Sequence, residues 1–159
     1  MDRNLLSKIL TQMKKRLKEG KPIGDLKSGA LFALGQQLDA IFYYLGHELG
    51  TMIKVEDVKK PDKIPETITT IISDYNIGDV EIVSSSEEII QLRLKNHSSI
   101  KHLINKGIEA SGSFCSFEAG LLAGIVENMI DVHCFAQETS CSLETGNNFC
   151  EFMIVFQKD

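Results

Sequence analysis

No stretch of this sequence approaches the roughly 18 consecutive apolar residues that a membrane span requires. The longest candidate, 114–129, is interrupted by Cys115, Glu118, Glu127 and Asn128. No apolar h-region follows Met1-Asp2-Arg3-Asn4, so no secretory signal is read there and a cytoplasmic location is expected. Basic residues are the minority, 17 Lys and Arg against 22 Asp and Glu, for a formal net charge of −5. Non-specific nucleic-acid binding depends on cations that displace counterions from phosphates, and this balance argues against it. The one basic concentration, Lys14-Lys15-Arg16 with Lys18 and Lys21, falls on a predicted helix and reads as its solvated face. Internal repeats and low-complexity segments are absent. So are G-x-S-x-G, H-E-x-x-H, the P-loop and the dinucleotide fingerprint. His47-Glu48 has no second histidine four residues on, and His97 and His102 have no evident partner carboxylate. These absences favour a binding module over an enzyme, with neither nucleic acid nor membrane insertion expected.

What is present suits a single domain over 1–159. Apolar residues make up 43% and charged residues 25% of the chain. A chain of this size buries about two-thirds of its surface and needs no disulfides to form a core. Leu5, Leu6, Ile9, Leu10, Met13 and Leu17 recur at helical spacing, and Gly20 and Pro22 end that helix. A second helix is predicted from about Ala30 to Ile53. Its stripe of Leu31, Leu34, Leu38, Ile41, Phe42, Leu45, Leu49 and Met52 is a near-heptad seam that must pack on another helix, in the same subunit or a partner. Pro65 suits the first turn of a third helix, and Asn76 and Gly78 suit its end.

The period then changes to two. Val80, Ile82 and Val83 predict a strand, and Ser84 to Ser86 a turn. Ile90, Leu92 and Leu94, alternating with Gln91, Arg93 and Lys95, predict a strand with one wet face. Ser98 to Lys106 reads as a short helix, Phe114 to Met129 as a longer one, Val132 to Glu138 as a strand and Cys141 to Asn148 as a loop. Phe149 to Phe156 is apolar on both faces, as in a central strand. Sequential strands joined by short turns give an antiparallel sheet packed against helices, an α+β fold.

The four cysteines, Cys115, Cys134, Cys141 and Cys150, all fall in the last 45 residues, and no two form a C-x-x-C pair. That excludes the usual zinc-ribbon signature. Glu138 at a strand end and Cys141 in the following loop can meet at one point, and the hairpin returns Cys150 nearby. With Cys115 from the start of the preceding helix they would make a closed tetrahedral zinc site. Cys134, inside its strand, reads as a buried core thiol. Two alternatives stand beside this set: that all four cysteines are core residues, and that His133 or Glu144 is a ligand in place of one of the four.

The run Ser113-Phe114-Cys115-Ser116-Phe117-Glu118-Ala119-Gly120-Leu121-Leu122-Ala123-Gly124-Ile125, followed by Glu138, Cys141, Gly146 and Cys150, resembles the 4-vinyl reductase domain. Its standalone archaeal members are called hydrocarbon-binding proteins, and the Lys/Ile-rich composition suits one. The motif covers roughly Gly107 to Phe156; the N-terminal helices match in outline. The resemblance implies a fold shared with small TRAPP tethering subunits and, more distantly, haem nitric-oxide-binding domains. It implies zinc at Cys115, Glu138, Cys141 and Cys150, a small apolar ligand pocket beside it, and a homodimer through the N-terminal helices. The chain would then divide into a helical dimerisation region (residues 1–58) and a zinc-containing ligand-binding region (residues 59–159). Members also serve as sensor modules of aromatic-responsive activators, whose pockets use aromatic residues including Trp. This sequence has no Trp, which argues against phenol as its ligand.

The pocket is expected between the sheet and the helix that starts near Phe114, lined by Leu92, Leu94, Leu121, Leu122 and Ala136. The competing reading is that these five simply fill the core. Small residues at Ala119, Gly120, Ala123 and Gly124 cost helix propensity and let a backbone or a ligand approach closely, unless they only pack on the sheet. The function expected is apolar small-molecule binding, as a sensor or carrier, around a structural zinc. The alternatives are a reductase acting on a tetrapyrrole or other vinyl-bearing substrate, for which no cofactor site is readable, and a scaffold subunit without ligand.

Overall fold

The first amphipathic segment forms α1 (Arg3–Lys18), with Met13 and Leu17 buried in the core. Gly20 stops it at φ +64°. There the N–H of Lys21 donates to the carbonyl of Arg16 (2.8 Å) and that of Gly20 to Leu17 (2.9 Å), the Schellman pattern for closing a helix. The computed structural model describes residues 3–24, 27, 37–55, 63–101, 103 and 114–157. The predicted start of the second helix, with Leu31 and Leu34, therefore lies outside the described residues, as do the side chain of Leu38 and residues 102 and 104–106 of the helix expected from Ser98 to Lys106.

Helix α2 is Gln37–Thr51 and α3 is Ile64–Asp74, with Pro65 in its first turn as expected. Asn76 ends α3 in the left-handed region (φ 54°), again with a Schellman pair: Asn76 N–H to Ser73 (2.9 Å) and Ile77 N–H to Ile72 (3.0 Å). Buried Ile77 supplies the apolar contact that accompanies this motif.

Four strands follow: β1 (Asp79–Ser85), β2 (Ile89–Lys95), β3 (Cys134–Ser140) and β4 (Phe149–Phe156). All pairings are antiparallel, in the order β1-β2-β4-β3, so the strand that is apolar on both faces is central. The β1–β2 turn is held by Ser86, whose hydroxyl accepts from Ile89 N–H (3.0 Å) and Glu88 N–H (3.3 Å). Helix α4 (Ser116–Ile130) precedes β3, and the loop expected after Cys141 contains one helical turn, α5 (Ser142–Thr145), closed by Gly146.

Helix α4 lies between the dry face of the sheet and α2, which is why twelve of its fifteen residues are buried. The dry face comprises Ile90, Leu92 and Leu94 on β2, Cys150, Phe152 and Ile154 on β4, and Cys134 and Ala136 on β3. On the α2 side the glycines meet backbone. A Cβ on Gly120 would fall 1.9 Å from the Tyr43 carbonyl oxygen, and one on Gly46 2.0 Å from that of Phe117. Gly120 and Gly124 of α4 thus serve the approach of another helix. Phe42, Leu45 and Leu49 of the expected seam are buried within the chain, while Tyr44 and Met52 are exposed. Among the described residues no helix is long and apolar enough to cross a membrane.

Candidate metal centre

The break between Phe114 and α4 positions the first ligand. Cys115 is the N-cap of α4, fully buried. Its backbone N–H (3.2 Å) and that of Phe114 (3.1 Å) donate to the Oε2 of Glu138, so a carboxylate from β3 satisfies the open end of the helix. Cys141 caps α5. Cys150, second residue of β4, is paired across the sheet with Leu94 and receives the Ser142 N–H on its sulfur at 3.2 Å.

The ligand atoms of Cys115, Glu138, Cys141 and Cys150 all lie within 4.8 Å of one another. The sulfurs of Cys115 and Cys150 are 3.8 Å apart, and tetrahedral Zn–S bonds of about 2.3 Å require an S···S edge of about 3.8 Å. This donor set, three soft sulfurs and one carboxylate in a buried cluster, fits zinc better than magnesium or calcium. With four protein ligands the ion would be closed to a catalytic water and would act as a structural clamp. None of the four cysteines is in a disulfide.

The electrostatics of the cluster, read without an ion, distribute one negative charge among the sulfurs. Cys141 is held low, first by a hydrogen bond from Cys115 and then by one from Cys150. Burial, above all, pushes the Cys115 thiol up. Burial and the charge on Cys141 raise the Glu138 carboxyl to about 7, against its bonds to Cys115. Cys134 stands apart: its thiol donates to the Ala123 carbonyl (3.2 Å) and burial pushes it up to about 12, an inert core thiol as read from the sequence. The rival ligands are elsewhere. His133 is 86% exposed and its Nδ1 meets Glu127 at 3.3 Å; Glu144 is exposed on α5.

Sequence reasoning missed a second layer. His97 is fully buried, its Nε2 3.4 Å from the sulfur of Cys150 and 3.7 Å from that of Cys115. Burial, joined by the Lys27 charge, lowers its pKa to about 4, against the pull of Glu118 and Cys141. Two residues on, the hydroxyl of Ser99 donates to Glu118 Oε1, and Lys27 Nζ reaches Glu118 Oε2 at 2.7 Å. The Lys27 ammonium also lies 4.5 Å from the centre of the Phe114 ring. The readable signal was Glu118 itself: an acid on an otherwise apolar helix must find a buried partner.

The five residues expected to line a ligand pocket are all buried in the core. Leu92, Leu94, Leu121 and Ala136 are 0% exposed and Leu122 1%. Ala136 lies across from Ile154, and its N–H donates to the Tyr43 hydroxyl at 3.2 Å. A separate, polar cleft of about 520 Å³ is lined by Ser73, Asn76, Asp79, Asn96, Ser98 and Lys101, among others.

An α4 held between a four-stranded antiparallel sheet and a second helix, with a Cys3Glu cluster at its N-terminus, makes this an α+β domain. The chain is similar in structure to a vinyl-4-reductase family protein of Methanocaldococcus jannaschii, with a TM-score of 0.57 and 23% identity over 99% of this chain and 98% of that one. It also resembles the phenol-responsive sensory domain of the transcription activator PoxR, solved with phenol (TM-score 0.70, 12% identity, 84% and 72% of the two chains). A third similar structure is a trafficking protein particle complex subunit 3 from Naegleria fowleri covalently bound to palmitic acid (TM-score 0.57, 13% identity, 97% and 92%). No family model matches the sequence. Two uncharacterized proteins of Methanocaldococcus jannaschii are each 31% identical to it: MJ1642 over 76% of this chain and 66% of that protein, and MJ0150 over 81% and 70%. The chain belongs to one family with these archaeal proteins, and the matched region spans about two-thirds of their length.

Proposed function

We propose that this chain is a binding domain for a small apolar molecule, built around a structural zinc held by Cys115, Glu138, Cys141 and Cys150. The observation that carries this reading is where the cluster sits. It ties the first residue before α4 to β3 and β4, and so fixes the helix bearing Leu121 and Leu122 against the strands bearing Leu92, Leu94 and Ala136. A guest would lodge between these two surfaces, which meet in the core. Proteins of the same fold that hold phenol and palmitic acid support an apolar guest class; the absence of Trp favours an aliphatic over a phenolic one. We place the protein in the reducing cytoplasm, where its four free thiols would persist.

Thermal unfolding of the zinc-loaded protein with and without palmitic acid tests the binding reading. A saturable rise in Tm is expected, because a ligand that binds only the folded state stabilises it by mass action. Phenol run in parallel distinguishes the guest classes, and mass spectrometry of an organic extract of the purified protein should reveal a retained lipid. No shift with either compound and an empty extract would reject the reading.

Assembly belongs to the same proposal. We infer a homodimer through the helical region, residues 1–58, with Tyr44 (44% exposed) and Met52 (56% exposed) on the contact face of α2. Light scattering at micromolar concentration should give twice the monomer mass; a monomer mass would remove the dimer and leave the binding reading intact.

A further inference from the structure

We propose that His97 is the hydrogen-bond donor of the metal centre: its ring presents Nε2–H to the sulfurs of Cys115 and Cys150, sets the charge those thiolates carry, and does not itself bind the ion. The proposal rests on the zinc reading above.

One ring atom faces both sulfurs, at 3.4 Å from Cys150 and 3.7 Å from Cys115, and the ring is fully buried. The other nitrogen, Nδ1, is buried with no hydrogen-bond partner among the described residues. A neutral imidazole carries one N–H and one lone pair. With the proton on Nδ1, a donor would be buried unpaired while a lone pair faced two electron-rich sulfurs. With the proton on Nε2, the donor meets acceptors and the orphan is only a lone pair, the less costly of the two. The geometry therefore selects the Nε2–H tautomer.

The same geometry argues against His97 as a ligand. A metal-bound imidazole gives its lone pair to the ion and donates its other N–H to a carbonyl, carboxylate or water. Among the described residues Nδ1 has no such acceptor. The four mutually close ligand atoms already supply the four donors that a structural zinc takes, and no ligand atom of His97 belongs to that group.

The centre needs such a donor. Three thiolates and a carboxylate around Zn²⁺ leave a formal charge of −2, and the nearby buried cation, Lys27, is engaged by Glu118. The Ser142 N–H supports Cys150 from one side; the imidazole supports Cys150 from another and extends to Cys115. Hydrogen bonds to a zinc thiolate draw charge from sulfur, which weakens its attack on electrophiles and retains the metal. His97 is thus a positioning residue for the sulfurs.

The test uses the full chain in two variants. His97→Leu removes the donor at similar size, and His97→Gln restores an amide N–H at the place of Nε2. In the cobalt(II)-substituted protein, His97→Leu should move the sulfur-to-cobalt charge-transfer band to longer wavelength, and in the zinc protein it should lower metal affinity about tenfold or more and hasten zinc release by iodoacetamide. His97→Gln should return all three toward wild type, and nitrogen NMR of the wild-type zinc protein should place the ring proton on Nε2. A proton on Nδ1, an unchanged band and release rate in His97→Leu, or a cobalt spectrum showing loss of a nitrogen ligand would each overturn the proposal. Should His97→Leu not fold, the wild-type tautomer still decides. Should the wild-type chain bind neither ion, the zinc reading fails by itself, and a metal-free protein without the Nε2 proton would sink the His97 assignment as well.

Discussion

The ammonium of Lys27 lies 2.7 Å from the carboxylate of Glu118, and neither side chain is more than 1% exposed. Burial alone would neutralise each group. For Lys27 burial is the largest influence and acts downward, yet the Glu118 charge and hydrogen bond, with Cys115, raise its pKa overall. For Glu118 burial again acts most strongly, upward, and Lys27, His97 and Ser99 together hold the carboxyl low. The pair persists as ions because each is the other's solvent.

Removing one partner should therefore be far worse than removing both. Lys27→Met leaves a buried carboxylate without its cation and should cost about 3–5 kcal/mol. Lys27→Met with Glu118→Leu should regain most of that, measured by urea unfolding in a double-mutant cycle. The pH sign follows from the shifts. Glu118, depressed in the fold, contributes stability above its unfolded pKa and loses it as pH falls through the folded value; Lys27, raised, contributes below its unfolded pKa and loses it as pH rises. The double variant should lack the acid-side loss that the wild type shows below about pH 4.3, the usual glutamate value. Equal costs for the single and double variants would contradict this account.

The α2–α4 contact makes a second prediction. Gly120→Ala would place a methyl 1.9 Å from the backbone oxygen of Tyr43, and no side-chain rotation relieves that. The helices would have to part, at about 1–3 kcal/mol or more, with Tm falling by several degrees. Gly46→Ala, 2.0 Å from Phe117 O, should behave alike. Gly20→Ala meets nothing within 4 Å, so its cost should be only the left-handed backbone term, about 1–2 kcal/mol. Thermal denaturation of the three variants distinguishes steric from backbone cost.

These two features also mark the limit of what the sequence discloses. Local rules act on neighbours, so the end of α3 at Asn76, the wet and dry faces of β2 and the central place of β4 could all be read from residue order. The Cys115, Glu138, Cys141 and Cys150 set was readable because a strand, a loop and a returning strand bring three of the four together. Lys27 and Glu118 are 91 positions apart, and nothing in the periodicity of either segment points to the other. Gly46 and Gly50 repeat the four-residue spacing of Gly120 and Gly124, a matched pair visible only once the helices are known to cross. His97 was passed over because a carboxylate was sought as its partner, and its partners are sulfurs.

The metal reading predicts asymmetric cysteine variants. Cys141→Ser should reduce zinc below one ion per chain and lower Tm, whereas Cys134→Ser, at a thiol bonded to the Ala123 carbonyl, should keep the metal. Removing zinc by chelation should leave Glu138 with its carboxyl near 7. A raised carboxyl binds a proton more readily in the fold than in the unfolded chain, so the metal-free protein should lose stability from this group as pH rises from about 4.3 to 7. Zinc, which requires the carboxylate, should reverse that trend. Elemental analysis and chemical unfolding across this range check both statements; an absence of zinc in protein purified without chelators would refute the metal centre.

The apolar guest makes the last prediction, through two variants of opposite sign. Ala136 sits on the inward face of β3 between Cys134 and Glu138, with no exposed surface, and its neighbour across the sheet is Ile154. Phenylalanine there would occupy the space between β3 and α4 that a guest must enter. Ala136→Phe should abolish the Tm rise given by palmitic acid and leave one zinc per chain. Leu122→Ala acts on the facing helix: it removes buried volume, costs about 2–5 kcal/mol in the free protein, and leaves a cavity that a guest can refill. Its Tm rise with palmitic acid should therefore exceed that of the wild type, which at a ligand concentration of about 100 Kd corresponds to about 2.7 kcal/mol. If these residues only fill the core, both variants lower Tm and neither changes the response to palmitic acid. Equal shifts in wild type, Ala136→Phe and Leu122→Ala would move the guest away from this interface.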